Sequence, residues 1–374
     1  MIYLDHAATT APSQTAIRAC VEAMERTPGN PSSVHGAGMA AMDTVRRGRA
    51  RVAAALGARA DEILFTAGGT EADNLAIRGA VSALRRRGDH VVTTNVEHPA
   101  VENTLADLER QGLSVTRVPV GPDGCVSAED VLAAVTDRTV LVTVMAVCSE
   151  TGARMPIEEI AARLKREHPD VLFHSDMVQS FCRERIPLAG VDMASVSAHK
   201  ICAPKGCGAL YLRKGVRILP VITGGGQEGG LRSGTEAVPL IAAFGAAAEE
   251  NMREFAARRQ KIAALRKAAE EQLSAVPGLE FLQVRGVPDV FTVFLPGYKS
   301  EVLLRFLSEK GICVSAGSAC AKGKKSPVLT AMGLPPEKID GALRISMGHE
   351  NTPEELAALA EALREATRKL ASVR

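Results

Sequence analysis

The sequence contains no tryptophan and few aromatic residues of any kind. Only 3% of its 374 residues are Phe, Trp or Tyr, so aromatic platforms for stacking bases or sugars are not expected. Neither sign of charge dominates, because 45 Lys and Arg residues nearly balance 43 Asp and Glu residues, for a formal net charge of +2. Since nucleic-acid-binding proteins concentrate basic charge, we expect no direct binding of nucleic acid.

Long apolar runs and paired cysteines are also missing. No stretch approaches the ~18 consecutive apolar residues of a transmembrane helix, so no membrane association is expected. Residues 1–5 show no basic region leading into an apolar segment, as a secretory signal would. The 8 cysteines include no Cys-x-x-Cys pair, which is typical of reduced thiols rather than of a disulfide framework. We therefore expect a cytoplasmic protein.

Over the first two-thirds of the chain, short apolar segments alternate with longer amphipathic ones. The predicted strands are Ile63–Thr66, His90–Thr94, Ser114–Val118, Val140–Val147, Val171–His174, Met193–Ser197 and Gly208–Leu212. The predicted helices are Met39–Leu56, Glu71–Arg86, Val101–Gln111 and Ile157–Glu167. The alternation predicts an α/β fold, in which helices cover both faces of a mostly parallel sheet built from these seven strands.

The pattern changes after Gly234. Residues Pro239–Ala275 contain few helix breakers, which predicts one long helix or two joined helices. The elements predicted beyond them are strands near Phe291–Phe294 and Ile312–Ser315, and helices over Glu301–Lys310 and Pro353–Leu370. Thr352 suits the N-cap of that last helix and Pro353 its first position. This part is predicted to form a smaller α+β domain.

Ligands of open parallel sheets bind beyond the carboxyl ends of the strands, and three of these ends carry reactive or polar residues. Gly68-Gly69-Thr70 follows the first strand and precedes a helix, where free N–H groups and a hydroxyl can hold a phosphate. Asp176 follows a second strand and Lys200 a third. Pyridoxal phosphate needs these three features, namely an amine for its aldehyde, a carboxylate for its ring nitrogen and donors for its phosphate. The sequence thus predicts a site for this cofactor.

A series of motifs then runs in order along nearly the whole chain. They are Tyr3-Leu4-Asp5-His6-Ala7-Ala8-Thr9-Thr10, Gly29-Asn30-Pro31-Ser32-Ser33-Val34-His35, Phe65-Thr66-Ala67-Gly68-Gly69-Thr70-Glu71-Ala72-Asp73-Asn74, Glu97-His98-Pro99-Ala100, Ser197-Ala198-His199-Lys200, Gly224-Gly225-Gly226-Gln227-Glu228, Arg232-Ser233-Gly234-Thr235, Ser315-Ala316-Gly317-Ser318-Ala319-Cys320 and Leu343-Arg344-Ile345-Ser346-Met347-Gly348. Through them the sequence resembles the cysteine desulfurases of the class V aminotransferase group.

The resemblance implies a fold-type I pyridoxal phosphate-dependent transferase. Its large domain would carry the seven-stranded sheet, and its smaller C-terminal domain would be α+β. The implied division is an N-terminal segment (1–14) that joins the small domain, a large cofactor-binding domain (15–250), and a small domain (251–374) that carries the loop of the catalytic cysteine.

The resemblance also implies the cofactor contacts. Lys200 would form the Schiff base, Asp176 would pair with the ring nitrogen, and Gln179 would meet the phenolic oxygen. His98 would stack on the ring and help to move protons. The phosphate would be held by Gly69, Thr70, Ser197 and His199. Thr235 would reach the phosphate of the other subunit, because the site of this family lies at a homodimer interface.

The substrate implied by the resemblance is L-cysteine. Arg344 would bind its carboxylate through the planar guanidinium fork, with Ser149 and His6 beside it. Cys320 would take the sulfur as a persulfide and leave L-alanine. Its loop is rich in small residues and precedes Lys322-Gly323-Lys324-Lys325, and such cationic neighbours favour the thiolate. The sulfur would then pass to an acceptor protein in iron–sulfur cluster assembly, thio-cofactor synthesis or tRNA thiolation.

Several positions depart from the family pattern. The family usually has Asn at His6, Asn-Asn-Glu at Cys148-Ser149-Glu150, an aromatic residue at Cys202 and Arg at His349. A serine hydroxyl is shorter than an amide and cannot reproduce its geometry. Two interpretations stay open: a divergent desulfurase that tolerates these changes, or an enzyme with altered substrate preference or reduced activity.

The same residues are also compatible with other functions. One alternative is a selenocysteine lyase, or another pyridoxal phosphate lyase or aminotransferase; a second is a catalytically impaired, cofactor-binding partner protein. A dinucleotide site at Gly224–Gly229 is rejected, because no helix follows directly. No metal site is expected, since the cysteine spacing matches no zinc or iron–sulfur pattern.

Overall fold

The computed structural model describes residues 1–316 and 326–371. The strands in this part are β1 Ile2–Tyr3, β2 Ile63–Thr66, β3 His90–Thr94, β4 Ser114–Val118, β5 Thr139–Thr143, β6 Leu172–Asp176, β7 Met193–Ser197, β8 Gly208–Leu212, β9 Glu280–Phe281, β10 Val290–Phe294, β11 Ile312–Cys313 and β12 Ala342–Ser346. The α-helices are α1 Gln14–Arg26, α2 Gly36–Leu56, α3 Gly69–Leu84, α4 Pro99–Arg110, α5 Ala128–Ala133, α6 Ile157–Glu167, α7 Val238–Arg253, α8 Phe255–Ser274, α9 Ser300–Glu309, α10 Pro327–Ala331, α11 Pro336–Asp340 and α12 Pro353–Lys369. None of the helices in these two ranges is both long enough and apolar enough to cross a bilayer.

The central sheet has seven strands in the order β2-β8-β7-β6-β5-β3-β4. Strands β3 to β7 pair in parallel, and β8 alone runs antiparallel to its two neighbours, β2 and β7. The predicted α/β fold with a mostly parallel seven-stranded sheet is therefore confirmed. Because the parallel strands share a direction, their carboxyl ends meet along one edge of the sheet.

Both faces of this sheet are buried. Successive strand residues point to opposite faces, so Val91 and Leu141 belong to one apolar cluster while Val92 and Val142 belong to another. Helices α3 and α4 pack on the first face; α2, α6 and α7 pack on the second. Full burial of both faces explains why these strands appear in the sequence as continuous apolar runs rather than alternating ones.

The C-terminal third forms a third apolar cluster around an antiparallel sheet with the order β12-β10-β9. Helices α8, α9 and α12 contribute Leu265, Leu303 and Leu359 to it. The N-terminus joins this cluster, because β1 pairs in parallel with β11 and Leu4 is fully buried there. The predicted domain limits at residues 14 and 250 stay predictions.

Several element boundaries differ by a few residues from those predicted from the sequence, and two of the differences concern strands of the central sheet. Strand β5 ends at Thr143 rather than Val147, because the Met145 N–H donates to the Glu97 carboxylate instead of continuing the ladder with β3. The Val144 and Ala146 N–H groups still donate to backbone oxygens of β6. Strand β6 extends to Asp176, which pairs with Ser195 of β7, so this carboxylate lies on the strand rather than after it. The segment predicted as one or two helices is two, α7 and α8, which meet at Glu254.

Candidate active site

The edge where the parallel strands end opens into a cavity with an empty volume of about 930 Å³ that reaches solvent. We call it the first cavity. Ten of the residues singled out in the sequence line it: Gly69, Thr70, His98, Ser149, Asp176, Gln179, Ser197, His199, Lys200 and Arg344. They come from distant parts of the chain: nine of them follow or end a strand of the central sheet, or begin a helix, at this one edge, and Arg344 reaches it from β12 of the second sheet.

Lys200 lies in a short 3₁₀ turn directly after β7. Its Nζ donates to the backbone oxygens of Ala7, at 2.5 Å, and Ala8, at 2.9 Å. Burial, together with the positive charges of Arg183 and Arg344, lowers the pKa of Lys200 to about 8. A substantial fraction of this amine is thus neutral near physiological pH, and the neutral amine is the nucleophilic and basic form.

Asp176 forms the floor of the first cavity together with Asp73 and His98. The nearest ligand atoms of these three side chains all lie within 4.8 Å of one another. Burial raises the pKa of Asp176, whereas His98 and Lys200 oppose that rise. Burial also raises the pKa of Asp73 well above its ordinary value, and the nearby Asp176 raises it again. Of two such carboxyls, the one with cationic neighbours keeps its negative charge more easily, and this is Asp176.

This trio is the one group of His, Cys, Asp and Glu side chains in the described residues that is spaced to share a metal ion. Buried carboxyls with raised pKa values are poor metal ligands, because a metal ion requires the ionised form. The expectation that the site uses no metal stays a prediction.

The orientation of His98 fixes which ring nitrogen faces the first cavity. His98 is the N-cap of α4, and its Nδ1 accepts a hydrogen bond from the Ala100 N–H at 3.1 Å. The neutral ring therefore carries its proton on Nε2. Burial lowers the pKa of His98 and Lys200 lowers it further, although Asp176 raises it, so the ring is held mainly neutral.

The opposite end of the first cavity is formed by the N-terminus of α3. Its N-cap is Gly68, which has no side chain to satisfy the first N–H groups of the helix. A Cβ at Gly69 would lie 2.7 Å from Val178 Cγ2, so glycine keeps this approach open. Ser197 Oγ is buried without a hydrogen-bond partner among the described residues. Burial lowers the pKa of His199 to about 4, so His199 adds no positive charge here.

Arg344 enters the first cavity from β12 and is only 2% exposed. Its Nη2 donates to Asp5 Oδ1 at 2.7 Å and its Nη1 to the backbone oxygen of Ser149 at 3.0 Å. Its Nε has no partner among the described residues. Gln179 is similar, because its Nε2 donates to the backbone oxygen of Ala7 at 2.9 Å while its buried Oε1 has no partner.

Two of the described residues named from the sequence do not line the first cavity. His6 is buried beside it and lines a neighbouring cavity, which Lys200 also borders. Thr235 is exposed in the loop before α7. Cys320 lies outside the described residues.

Sequence analysis did not single out Asp73, Glu97 or Asp5 as contributors to this site. Asp73 follows Thr70 by three residues on α3, so helical periodicity places both on one face, and this signal could have identified it. Glu97 is 8% exposed and accepts from Thr94 Oγ1 at 2.7 Å. No local pattern in the sequence reveals the Asp5–Arg344 ion pair, because these residues lie at opposite ends of the chain.

The residues present fit pyridoxal phosphate. The unsatisfied N–H groups of α3 and the free Ser197 hydroxyl are donors for a phosphate. The buried carboxylate of Asp176 can hold a ring nitrogen protonated, and the Lys200 amine is available for an aldehyde. Buried polar atoms are rarely left unpaired, and those of Ser197, Gln179 and Arg344 all belong to residues that line this one cavity.

Comparison with known proteins identifies the class. The family model "Aminotransferase class-V" matches residues 2–359, so the chain belongs to the class V aminotransferase family, whose members depend on pyridoxal phosphate.

Its relatives within that family are cysteine desulfurases. The chain is 39% identical over 375 residues to cysteine desulfurase IscS of Methanosarcina thermophila, covering 99% of this chain and 92% of that protein. Among solved structures, a NifS-like protein matches with a TM-score of 0.93 at 34% identity, over 99% of this chain and 100% of that one. A structure described as "SspA in complex with cysteine" matches with a TM-score of 0.84 at 32% identity, over 94% and 100% of the two chains.

Proposed function

We propose that this protein is a pyridoxal phosphate-dependent cysteine desulfurase, which converts L-cysteine to L-alanine and holds the sulfur as a persulfide on Cys320. The observation that carries the proposal is the first cavity, where the Lys200 amine, with its pKa lowered to about 8, lies near the buried Asp176 carboxylate. The full-length similarity to cysteine desulfurases supports the same substrate.

The cofactor would be held at three points. The N-terminus of α3 and Ser197 would bind its phosphate, Asp176 its ring nitrogen, and Lys200 its aldehyde carbon. When bound, pyridoxal phosphate supplies an electron sink for negative charge at the substrate Cα. His98 would cover the ring and present its Nε2–H. Gln179 would have to rotate its amide so that Nε2 faces the phenolic oxygen, since that group now donates to Ala7.

Lys200 and Arg344 would act on the substrate. The neutral Nζ of Lys200 removes the Cα proton, a task suited to an amine whose pKa lies near the operating pH. Arg344 is already oriented by Asp5, and its unpaired Nε is among the donors left for the substrate carboxylate. Ser149, whose backbone oxygen holds Nη1, would lie beside that carboxylate.

Cys320 would receive the sulfur. Its thiolate attacks the substrate sulfur, an S–S bond forms as the substrate C–S bond breaks, and the electron pair of the broken bond remains with the carbon skeleton, which leaves as alanine after it takes up protons. The flanks of residues 317–325 support this role. Ser315 exchanges backbone hydrogen bonds with Arg344, at 2.7 and 3.1 Å, and the Ser326 hydroxyl donates to Glu150, the residue after Ser149. Both flanks are therefore attached to residues at or next to the wall of the first cavity.

The proposal includes a homodimer in which Thr235 contacts the phosphate of the other subunit. The exposure of Thr235, away from the first cavity of its own chain, is compatible with a role in trans. A cytoplasmic location and a sulfur-acceptor protein belong to the same proposal, in which the acceptor serves iron–sulfur cluster assembly, thio-cofactor synthesis or tRNA thiolation.

The test is alanine release from L-cysteine by the cofactor-loaded protein, compared between wild type and Cys320→Ala. We expect wild type to form alanine and the variant to lose this activity while keeping bound cofactor. Cys20→Ala is the matched control, because Cys20 lies on α1 outside the first cavity, and it should behave as wild type. Alanine formation by Cys320→Ala at the wild-type rate would refute sulfur transfer through Cys320. Activity on selenocysteine alone would refute the proposed substrate.

A further inference from the structure

A second cavity lies on the other side of Lys200, with an empty volume of about 570 Å³ that reaches solvent. Its lining includes His6, Arg183, Cys202, Arg258, Arg259 and His349. The proposed desulfuration makes no use of this space. Three of its lining residues, His6, Cys202 and His349, are positions where the chain departs from the family pattern, and at Cys202 a small side chain replaces an aromatic one.

The second cavity contains a buried polar atom without a partner. His6 is 3% exposed, and its Nε2 has no hydrogen-bond partner among the described residues. The other nitrogen, Nδ1, lies 3.6 Å from Glu350 Oε1, beyond hydrogen-bonding distance. Because an unsatisfied buried polar atom destabilises a protein, this nitrogen is expected to have a partner, and it belongs to a side chain that lines the cavity.

The cationic side chains around the second cavity supply N–H donors suited to an oxyanion, although carboxylates balance their charge. Arg183, Arg258, Arg259 and Lys200 line it against two carboxylates, Asp289 and Glu350. Ion pairs hold the arginines in place: Arg183 lies 3.3 Å from Asp289, Arg258 lies 2.7 Å from Glu254, and Arg259 pairs with Glu184.

These pairs leave donors free. Arg259 uses only Nη1 in its hydrogen bonds to other described residues, whereas a guanidinium carries five N–H groups on three nitrogens. Cationic groups that are already oriented bind an anion without a further ordering cost.

A metal ion fits this space poorly. Within residues 1–316 and 326–371, the only trio of His, Cys, Asp and Glu side chains spaced for a shared metal lies in the first cavity. A purely apolar ligand would leave His6 Nε2 unpaired.

We propose that the second cavity is a binding site for a small oxyanion, such as phosphate, sulfate or a short carboxylate, held by His6 Nε2 and the free donors of Arg259. The site is separate from the phosphate position at the N-terminus of α3, because among the described residues Lys200 alone borders both cavities.

The test is isothermal titration calorimetry on the protein loaded with pyridoxal phosphate, so that the first cavity is already occupied. Phosphate, sulfate and succinate are titrated separately, and the most tightly bound is then displaced by the others. We expect saturable binding of one anion per chain, with mutual competition. His6→Phe keeps an aromatic ring but removes Nε2, and Arg259→Gln removes the charge; each should weaken binding at least tenfold.

Arg305→Gln is the control, because this exposed arginine lies outside the second cavity and pairs with Glu309 on α9, and the affinity of this variant should equal that of wild type. Cys202→Tyr provides an independent variant that fills the second cavity without removing a donor, and it should abolish binding. Absence of saturable binding to the wild type would overturn the proposal. Equal affinity of wild type, His6→Phe and Arg259→Gln would overturn it as well, because the anion would then be bound elsewhere.

Discussion

At the scale of single residues, burial decides which of the groups around the first cavity carry charge. Lys200, His98 and His199 all have a lowered pKa, and Asp73 and Asp176 a raised one, with burial as the largest cause in each case. Every one of these shifts favours the neutral form. A site built in this way keeps a neutral amine ready to react, and its electrostatics depend on the few groups that stay charged.

The first prediction concerns Lys200. Only the neutral amine attacks an aldehyde, and the pKa of this amine is lowered from 10.5 to about 8. The initial rate of pyridoxal phosphate incorporation into cofactor-free protein should therefore rise with pH and level off above about pH 8. The measurement is the gain in visible absorbance of the bound cofactor between about pH 6 and pH 10. Lys205→Ala, which removes an exposed neighbouring lysine, is the control and should leave the profile unchanged. A rate that still rises steeply near pH 10 would contradict the prediction.

The second prediction concerns Glu97, whose pKa burial raises from 4.5 to about 8. The folded state keeps this proton at a pH where the unfolded chain has released it. The contribution of Glu97 to stability is therefore fully present below about pH 4.5 and is lost as the pH rises through about 8, a loss on the order of a few kcal/mol. The midpoint of thermal unfolding should fall more between pH 5 and pH 8 in wild type than in Glu97→Gln.

Glu129→Gln is the control for that comparison, because Glu129 is exposed on α5. Its unfolding midpoint should follow the wild-type pH dependence. Parallel curves for wild type and Glu97→Gln would show that the carboxyl is already ionised at pH 5 in the folded protein.

At the scale of elements, the strands and helices were predicted better than their ends. The sequence identified β2, β3, β4, β7 and β8 at the observed residues. All of these except the partly exposed edge strand β4 are buried on both faces, and such strands tolerate few polar side chains. The end of β5 was not predictable, since it depends on the Glu97 carboxylate taking up the Met145 N–H. Glu97 lies 48 residues away in the chain, and no local pattern records such a contact.

The capping of α12 was predictable, because a capping box is a local signal. Thr352 Oγ1 accepts from the Glu355 N–H at 3.4 Å, and the Glu355 carboxylate accepts from the Thr352 N–H at 3.2 Å. Replacing such an N-cap by alanine costs about 1 kcal/mol.

The third prediction follows from this cap. In Thr352→Ala, amide hydrogen exchange in the first turns of α12 should accelerate about fivefold, the equivalent of about 1 kcal/mol. Thr352→Ser keeps the hydroxyl and should exchange as wild type does. Mass spectrometry of peptides from α12 makes the comparison, and peptides from α3 serve as the internal reference. Equal exchange in Thr352→Ala and wild type would show that the cap does not limit local opening.

At the scale of the whole molecule, the first cavity brings together parts of the chain that are far apart in sequence. Asp5 orients Arg344, and Ala7 accepts from both Lys200 and Gln179. The rule that ligands bind beyond the carboxyl ends of parallel strands predicted which residues at the ends of β2, β6 and β7 would line this cavity. It did not predict the contribution of the N-terminal segment, whose position depends on the pairing of β1 with β11. The second cavity was unpredictable for the same reason, because its walls come from six separate stretches of sequence.

The last prediction tests whether the proposed homodimer shares its sites. Thr235 is exposed and lies outside the first cavity of its own chain, so its contact with the phosphate would have to be made in trans. Thr235→Ala should weaken pyridoxal phosphate binding about tenfold or more, the usual cost of one hydrogen bond to a charged group. Lys200→Ala should abolish alanine formation outright.

Mixed dimers show whether Thr235 contacts the cofactor phosphate bound in its own chain or the one bound in the partner chain. In a dimer of one Thr235→Ala and one Lys200→Ala chain, the site that keeps Lys200 receives an intact Thr235 only if that residue acts across the interface. Co-expression with two different tags and tandem purification isolates this species. Under limiting cofactor, it should form alanine at about half the wild-type rate, well above either parent homodimer. If instead its affinity for the cofactor stays as weak as that of the Thr235→Ala homodimer, Thr235 acts within its own chain and the two sites are independent.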